Sequence, residues 1–168
     1  MSTNINTKSS YIVLGTAYNS STDTMTSPLA LPAPHGLPFT DEFLADANRN
    51  KVGIMLLKQI GRTMYKQQIK FDFLPYNTFW KLNRWLKDNG YQFYVKYFSH
   101  TDGKIKVAKF YRGNMGEADP STETIKIAIP NTSPVQKISV PKTYKNVSMS
   151  FIDMGETDVI EVATLTVT

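Results

Sequence analysis
At 168 residues, 41% hydrophobic and 20% charged, the chain has the make-up of one folded domain with extensions and enough apolar side chains for a core. The absence of cysteine excludes disulfides, cysteine zinc sites and thiol catalysis, and no run of about 18 apolar residues offers a transmembrane helix. The net charge of +5 admits an acidic partner, yet most lysines, among them Lys66, Lys70, Lys96, Lys104, Lys106, Lys109, Lys126 and Lys137, alternate with apolar residues as on a solvated sheet face.

The opening MSTNINTKSSYIVLG lacks the apolar stretch of a secretory signal. Residues 11–18 (YIVLGTAY) have strand composition, with Gly15 a candidate bulge, and the Ser/Thr/Asn-rich residues 19–27 read as a loop. Pro28, Pro32, Pro34 and Pro38 then fix φ and bias their predecessors to extended geometry, which predicts an arm rather than a helix. Leu29, Leu31, Leu37 and Phe39 along it suit a surface, its own or a neighbour's. Thr40, Asp41 and Glu42 suggest a short helical cap, and 46–53 a polar turn.

Met64 to Phe73 alternates with period two, placing Tyr65, Ile69, Phe71 and Phe73 on one side and Lys66, Gln68, Lys70 and Asp72 on the other. Phe79, Leu82, Trp85 and Leu86 follow at helical spacing after Pro75, and Gly90 is a natural stop, so a helix is predicted over about 76–89. Tyr91, Phe93, Val95 and Tyr97 share one face of the next strand. His100 to Gly103 turns it into a partner over 104–111, with a bulge expected between Val107 and Ala108. Within 116–145, Ile125, Ile127 and Ile129, then Val135, Ile138 and Val140, are bounded by prolines and predict a projecting hairpin or edge strands. Val147, Met149 and Phe151 point inward on a further strand, and 157–168 is a last β-rich segment.

These elements define a mainly β (α+β) chain, an antiparallel β-sandwich or barrel flanked by one helix. Its parts are an N-terminal strand and proline-rich arm (1–45), a sandwich core with a 116–145 insertion (46–156), and a C-terminal β segment (157–168).

No residue set carries catalysis. His35 and His100 are isolated, and neither zinc, calcium, phosphate-loop nor serine-nucleophile signatures occur. Asp41, Glu42 and Asp46 lack calcium-loop spacing and suit capping or solvation. The sequence therefore predicts no enzyme, no cofactor and no metal. Tyr91, Phe93, Tyr94, Tyr97, Phe98, Phe110 and Tyr111, interleaved with lysines, form either core and interface or a stacking platform for single-stranded nucleic acid. Trp80 and Trp85 lie about 140° apart around the helix, so one can be buried while the other points outward as an anchor.

The central region resembles a family of small tail proteins of bacteriophages and prophages. The resemblance rests on Asp46, Asn48-Arg49-Asn50, Gly53, Ile60-Gly61-Arg62 and the strand Tyr65 to Phe71. Trp80 and Leu82, Phe93 to Tyr97, Asp102-Gly103, Phe110 to Asn114 and Met149 to Ile152 continue it, over about 46–115 and 146–156. It implies a tail-tube or distal-tail fold, a β-sandwich flanked by one helix that assembles as hexameric rings, with the arm 19–45 and the 116–145 insertion with the tail to 168 as departures from the short members. It further implies a virion tail component, in the distal tail or baseplate region or as a tail tube or tube-end adaptor, assembled in the host bacterial cytoplasm. The partners implied are the chain itself in a hexameric ring, other tail or baseplate proteins and the tape-measure protein, with DNA only in transit and no membrane. Arg49, Arg62 and Trp80, with Leu31, Pro34, Phe39 and Ile127 on the arms, are the residues expected at inter-subunit contacts. Arg49 and Arg62 equally suit anchoring the 46–63 loop within one subunit. A single-stranded nucleic-acid-binding β-domain is the reading of a different class.

Overall fold
Alternating apolar residues from both halves of the chain build its largest sheet. The computed structural model describes residues 12–35, 39–42, 45–49, 55–59, 64–99, 103–116, 118–155 and 160–164, with only the backbone described within 39–67 and at 114, 115 and 164. Strands β1 (Ile12–Gly15), β2 (Ala17–Asn19), β3 (Thr24–Thr26), β4 (Leu29–Leu31), β5 (Phe39–Glu42), β6 (Ala45–Arg49), β7 (Met55–Gln59) and β8 (Met64–Pro75) precede helix α1 (Tyr76–Asp88). Strands β9 (Gln92–Ser99), β10 (Lys104–Met115), β11 (Asp119–Pro120), β12 (Thr124–Ala128), β13 (Lys137–Pro141), β14 (Thr143–Asp153) and β15 (Ile160–Thr164) follow it.

Among the described residues, nine strands form one antiparallel sheet in the order β4-β1-β9-β10-β14-β8-β5, with β15 added to β10 and β11 to β14. The pairs β2–β3, β6–β7 and β12–β13 are separate two-stranded sheets. No sheet closes on itself among these residues. The chain is thus mainly β, with one large antiparallel sheet and one helix among the described residues. No described helix is long and apolar enough to cross a membrane.

The core lies on one face of the sheet. Leu14, Phe93, Val95, Tyr97, Phe110, Met149, Phe151 and Ile69 are buried there, under Leu82 and Leu86 of the helix. Removing each such side chain from water contributes about 1.5–3 kcal/mol. Phe93 packs edge-on against Phe151 (5.0 Å) and Trp85 (5.7 Å), and Tyr97 edge-on against Phe110 (6.1 Å), the geometry that ring quadrupoles favour.

The helix occupies nearly its predicted span. Pro75 stands at its N-cap position without a side-chain cap, and the Tyr76 amide donates to Lys142 O at 3.0 Å, satisfying one of the donors a helix start leaves open. Phe79 stacks on Tyr144 of β14 with centroids 3.9 Å apart, seating the first turns. At the other end the Asn89 amide and side chain both donate to Trp85 O (3.0 and 2.9 Å), and Gly90 turns away at φ +81°.

Several expectations give way. Residues 19–27 are not a loop, because β2 and β3 pair as a hairpin whose turn carries Asp23 at φ +48°. The proline arm is partly built into the sheet: β4 extends it beyond β1, and β5 extends it beyond β8. The cap expected at Thr40 to Glu42 is therefore strand, since its backbone finds partners in Met64 to Gln67. Much of the 46–53 turn is strand as well, paired with β7.

Phe73 is 65% exposed where alternation would bury it. The inward face changes phase beside Asn146, which takes φ +54°, so Phe71 and Val147 are buried and then Leu74, not Phe73. Tyr91, at 75% exposure, precedes β9 rather than belonging to its inner face.

The bulge expected at Val107/Ala108 is absent from the β9–β10 ladder, which runs unbroken from Lys104 to Tyr111. Both residues are buried because both faces of the sheet are covered here. Val13, Lys96 and Val107 are opposed across β1, β9 and β10 on the face away from the core. The β2–β3 hairpin folds back over that face, held by the Thr16 amide donating to Thr26 O at 2.9 Å. Gly15 permits the approach: a Cβ there would lie 2.8 Å from Met25 Sδ.

Candidate functional site
Isoleucine alternation in 125–129 demands a covered face, and the chain does not fully supply one. Strands β12 and β13 pair with Ile125 opposite Val140 and Ile127 opposite Ile138, so these four share a face while Lys126 and Ser139 share the other. No residue from Ser121 to Asn146 is buried, and Ile138 is 48% and Val135 65% exposed. A two-stranded ribbon is marginal by itself, so its ends are tied. At the tip, Ile129 donates to Gln136 O (2.8 Å), and Thr132 Oγ1 bridges the Ile129 carbonyl and the Gln136 amide (3.0 and 2.9 Å).

At the base, the Lys142 amide donates to Glu123 O (2.8 Å) and Ser121 donates to Thr143 O (2.9 Å). Lys142 Nζ also meets Glu123 Oε2 at 2.9 Å. Hydrogen bonding and charge in that pair lower the Glu123 carboxyl and raise the Lys142 ammonium from their ordinary values. Since Lys142 O also accepts from Tyr76, the base of the hairpin and the start of the helix share one residue.

Of the two tryptophans, Trp85 packs against the core and donates Nε1–H to Ser27 O at 2.8 Å. Trp80 is 47% exposed on the opposite side of the helix, with the Arg84 guanidinium 5.2 Å above its ring. Large exposed aromatics beside arginine are the composition of interface anchors.

The other expected contact residues separate. Ile127 is half-buried on the aliphatic face of the hairpin, and Pro34 is half-buried just beyond β4. Leu31 is 1% exposed and fills the chain's own core, so the reading of it as a surface contact is corrected: pairing of β4 with β1 turns it inward. Phe39 opens the edge strand β5, opposite Gln67, and Arg49 closes β6, opposite Met55. Their side chains, and Arg62 altogether, lie outside the described residues.

The seven-ring stacking platform is not assembled. Phe93, Tyr97 and Phe110 are at most 1% exposed, and Lys96 and Lys106 are themselves buried. Half of an alternating aromatic strand must face the core, and strand phase puts Phe93, Tyr97 and Phe110 on that side.

One cluster was not legible in the sequence. Lys96 Nζ meets both Asp23 oxygens at 2.7 Å, and the Tyr18 hydroxyl donates to Asp23 Oδ1 at 3.0 Å. Burial, then the hydrogen bond to Asp23 and its charge, push the Tyr18 phenol up to about 12. The cluster fastens the hairpin to the sheet. Nothing local in 17–26 identifies the partner. Among the described residues no group of three or more His, Asp or Glu side chains could hold a metal ion.

Comparison of the chain with protein families, with characterised proteins and with solved structures finds no match.

Proposed function
We propose that this chain is a structural component of the tail of a bacteriophage or phage-like particle, in its distal tail or baseplate region, acting by assembly into rings. The observation that carries the reading is the tied hairpin of β12 and β13, which presents a partly exposed aliphatic face while no residue of 121–146 is buried. A ribbon of this kind is stabilised by a neighbour that covers it. The open sheet supports the same reading, because its terminal strands β4 and β5 can be extended by main-chain pairing with another subunit. Heterologous contacts of this sort close into a ring when the rotation permits, a hexamer in the tail-tube and distal-tail fold that the sequence resembles. The net charge of +5 favours the distal position over a tube lumen through which DNA must slide.

The test is negative-stain microscopy of the purified protein with its mass by light scattering. Closed rings or stacked tubes are expected. A protein that stays strictly monomeric at high concentration, and that binds single-stranded DNA in a salt-dependent manner, overturns the proposal.

A further inference from the structure
The outer face of β8 and β14 holds a cleft of about 510 Å³ that the assembly reading does not use. It is lined by His35, Gln68, Lys70, Asp72, Asn146 and Ser148, with Gly116 at one wall. Its volume falls within the roughly 300–1,000 Å³ of small-molecule sites. We propose that this cleft binds a hydroxylated carboxylate, of which an acidic sugar is the simplest example.

The site is built by strand register. A backbone bridge sets His35 opposite Lys70, and the β8–β14 ladder sets Lys70 opposite Ser148. Directly opposed residues share a face about 5 Å apart, so imidazole, ammonium and hydroxyl form one row across the sheet. The His35 amide donates to Lys70 O at 2.7 Å, and His35 Nδ1 is paired with Asp72 Oδ2 at 2.8 Å, which orients the ring and leaves Nε2 for a ligand. Asn146 Nδ2 donates one of its two hydrogens to Asp119 Oδ2 at 2.8 Å, which leaves the other hydrogen and the side-chain oxygen Oδ1 for the cleft. Among the described residues the Lys70 ammonium has no carboxylate partner, and the side chains of Gln68 and Ser148 make no hydrogen bond.

Gly116 is required by the geometry. Its amide donates to Ser148 O at 2.9 Å, and a Cβ on it would come within 2.0 Å of Ser148 Oγ. The missing side chain leaves that hydroxyl its place in the cleft.

This inventory selects a ligand class. One unpaired cation takes one negative group by a charge-assisted hydrogen bond. Gln68, Ser148, Asn146 and His35 offer both donors and acceptors, which suits hydroxyls. The Asp72 carboxylate in the same cleft repels a compact polyanion, so a single carboxylate on a hydroxylated frame fits better than phosphate.

The test is titration of the full chain, labelled for amide NMR, with glucuronate, glucose and inorganic phosphate separately. Glucuronate should give saturable shifts at His35, Lys70 and Ser148 below about 50 mM, with glucose and phosphate at least about tenfold weaker. Lys70→Met should weaken glucuronate by about tenfold or more, the loss of one charge-assisted bond, with an otherwise native spectrum. Gly116→Ala should weaken it through Ser148, and Ser148→Ala should then have no additional effect. The proposal is overturned if glucuronate causes no saturable shift at these residues, if Lys70→Met binds as tightly as the parent, or if phosphate binds as tightly as glucuronate.

Discussion

Lys96 and Asp23, 73 positions apart in sequence, meet with the ammonium 2.7 Å from each carboxylate oxygen, and this contact fastens the β2–β3 hairpin over the second face of the sheet. The Lys96 side chain is only 10% exposed whereas that of Asp23 is 45% exposed. The two partners are therefore unequal. Removing the carboxylate leaves a nearly buried ammonium without its counter-charge, while removing the ammonium leaves a carboxylate that water can reach. Asp23→Asn, which keeps a side chain tolerant of the left-handed backbone, should lower the unfolding free energy by about 1–3 kcal/mol. Lys96→Met, which keeps the apolar stem, should cost less than about 1 kcal/mol. Denaturant titration of both variants reads the difference, and equal losses would contradict the asymmetry.

Tyr18 supplies a pH signature. Its phenol is raised from 10.0 to about 12 in the folded chain, first by burial and then by its hydrogen bond to Asp23 and that residue's charge. The unfolded chain loses this proton first as pH rises. The stabilisation is fully present below pH 10 and is lost as pH climbs through about 12. Denaturation midpoints followed from pH 8 upward should fall more steeply for the parent than for Tyr18→Phe.

Gly15 and Asp23 hold the same hairpin from two sides and should not act independently. Gly15→Ala forces a Cβ to within 2.8 Å of Met25 Sδ and 3.2 Å of Thr26 O, so the hairpin must shift, at about 1–3 kcal/mol. Once it has shifted, the Lys96–Asp23 contact is already weakened. A double-mutant cycle of Gly15→Ala with Asp23→Asn should give a coupling of about 0.5–3 kcal/mol, and strict additivity would show that the two contacts belong to separate units.

Leu31 and Ile127 were alike in the sequence, as apolar residues on extended segments, and should behave oppositely in the protein. Leu31→Ala removes a 1% exposed side chain and should cost about 2–5 kcal/mol. Ile127→Lys on the hairpin should change the stability of the isolated chain by no more than about 0.5 kcal/mol and abolish the ring assembly proposed above. Thermal melts and light scattering on the same samples separate the two effects.

Gly90 tests backbone geometry alone. It sits at φ +81° with open space around it, so Gly90→Ala should cost about 1–2 kcal/mol from the left-handed conformation, with no clash contributing. Gly90→Asn should recover part of that loss.

The helix and the strands around it were legible because their signals are local. Phe79, Leu82, Trp85 and Leu86 repeat at helical spacing, and Phe93, Val95 and Tyr97 repeat at strand spacing, since each must face the same apolar layer. The hairpin of 124–141 was legible for the same reason, though not how little of it the rest of the chain covers. The signal failed where two adjoining residues face opposite layers. At Val107 and Ala108 both are buried although they lie on opposite faces of the sheet, Ala108 in the helix-side core.

The proline-rich arm shows the other limit. Its prolines determined that it is extended, since a fixed φ and a missing donor exclude a helix there. They did not determine what it lies against. Pairing of β4 with β1 and of β5 with β8 depends on partners far along the chain, and so does the row of His35, Lys70 and Ser148 that runs from an isolated bridge across β8 to β14. The sequence by itself determined the helix near 76–89, the long strands around it and that no cysteine chemistry exists, because those follow from strong local periodicity and composition. Only the tertiary structure decided that Leu31 is core and Trp80 surface, and that Lys96 is buried against Asp23, because burial and strand register are set by distant contacts that no short window contains.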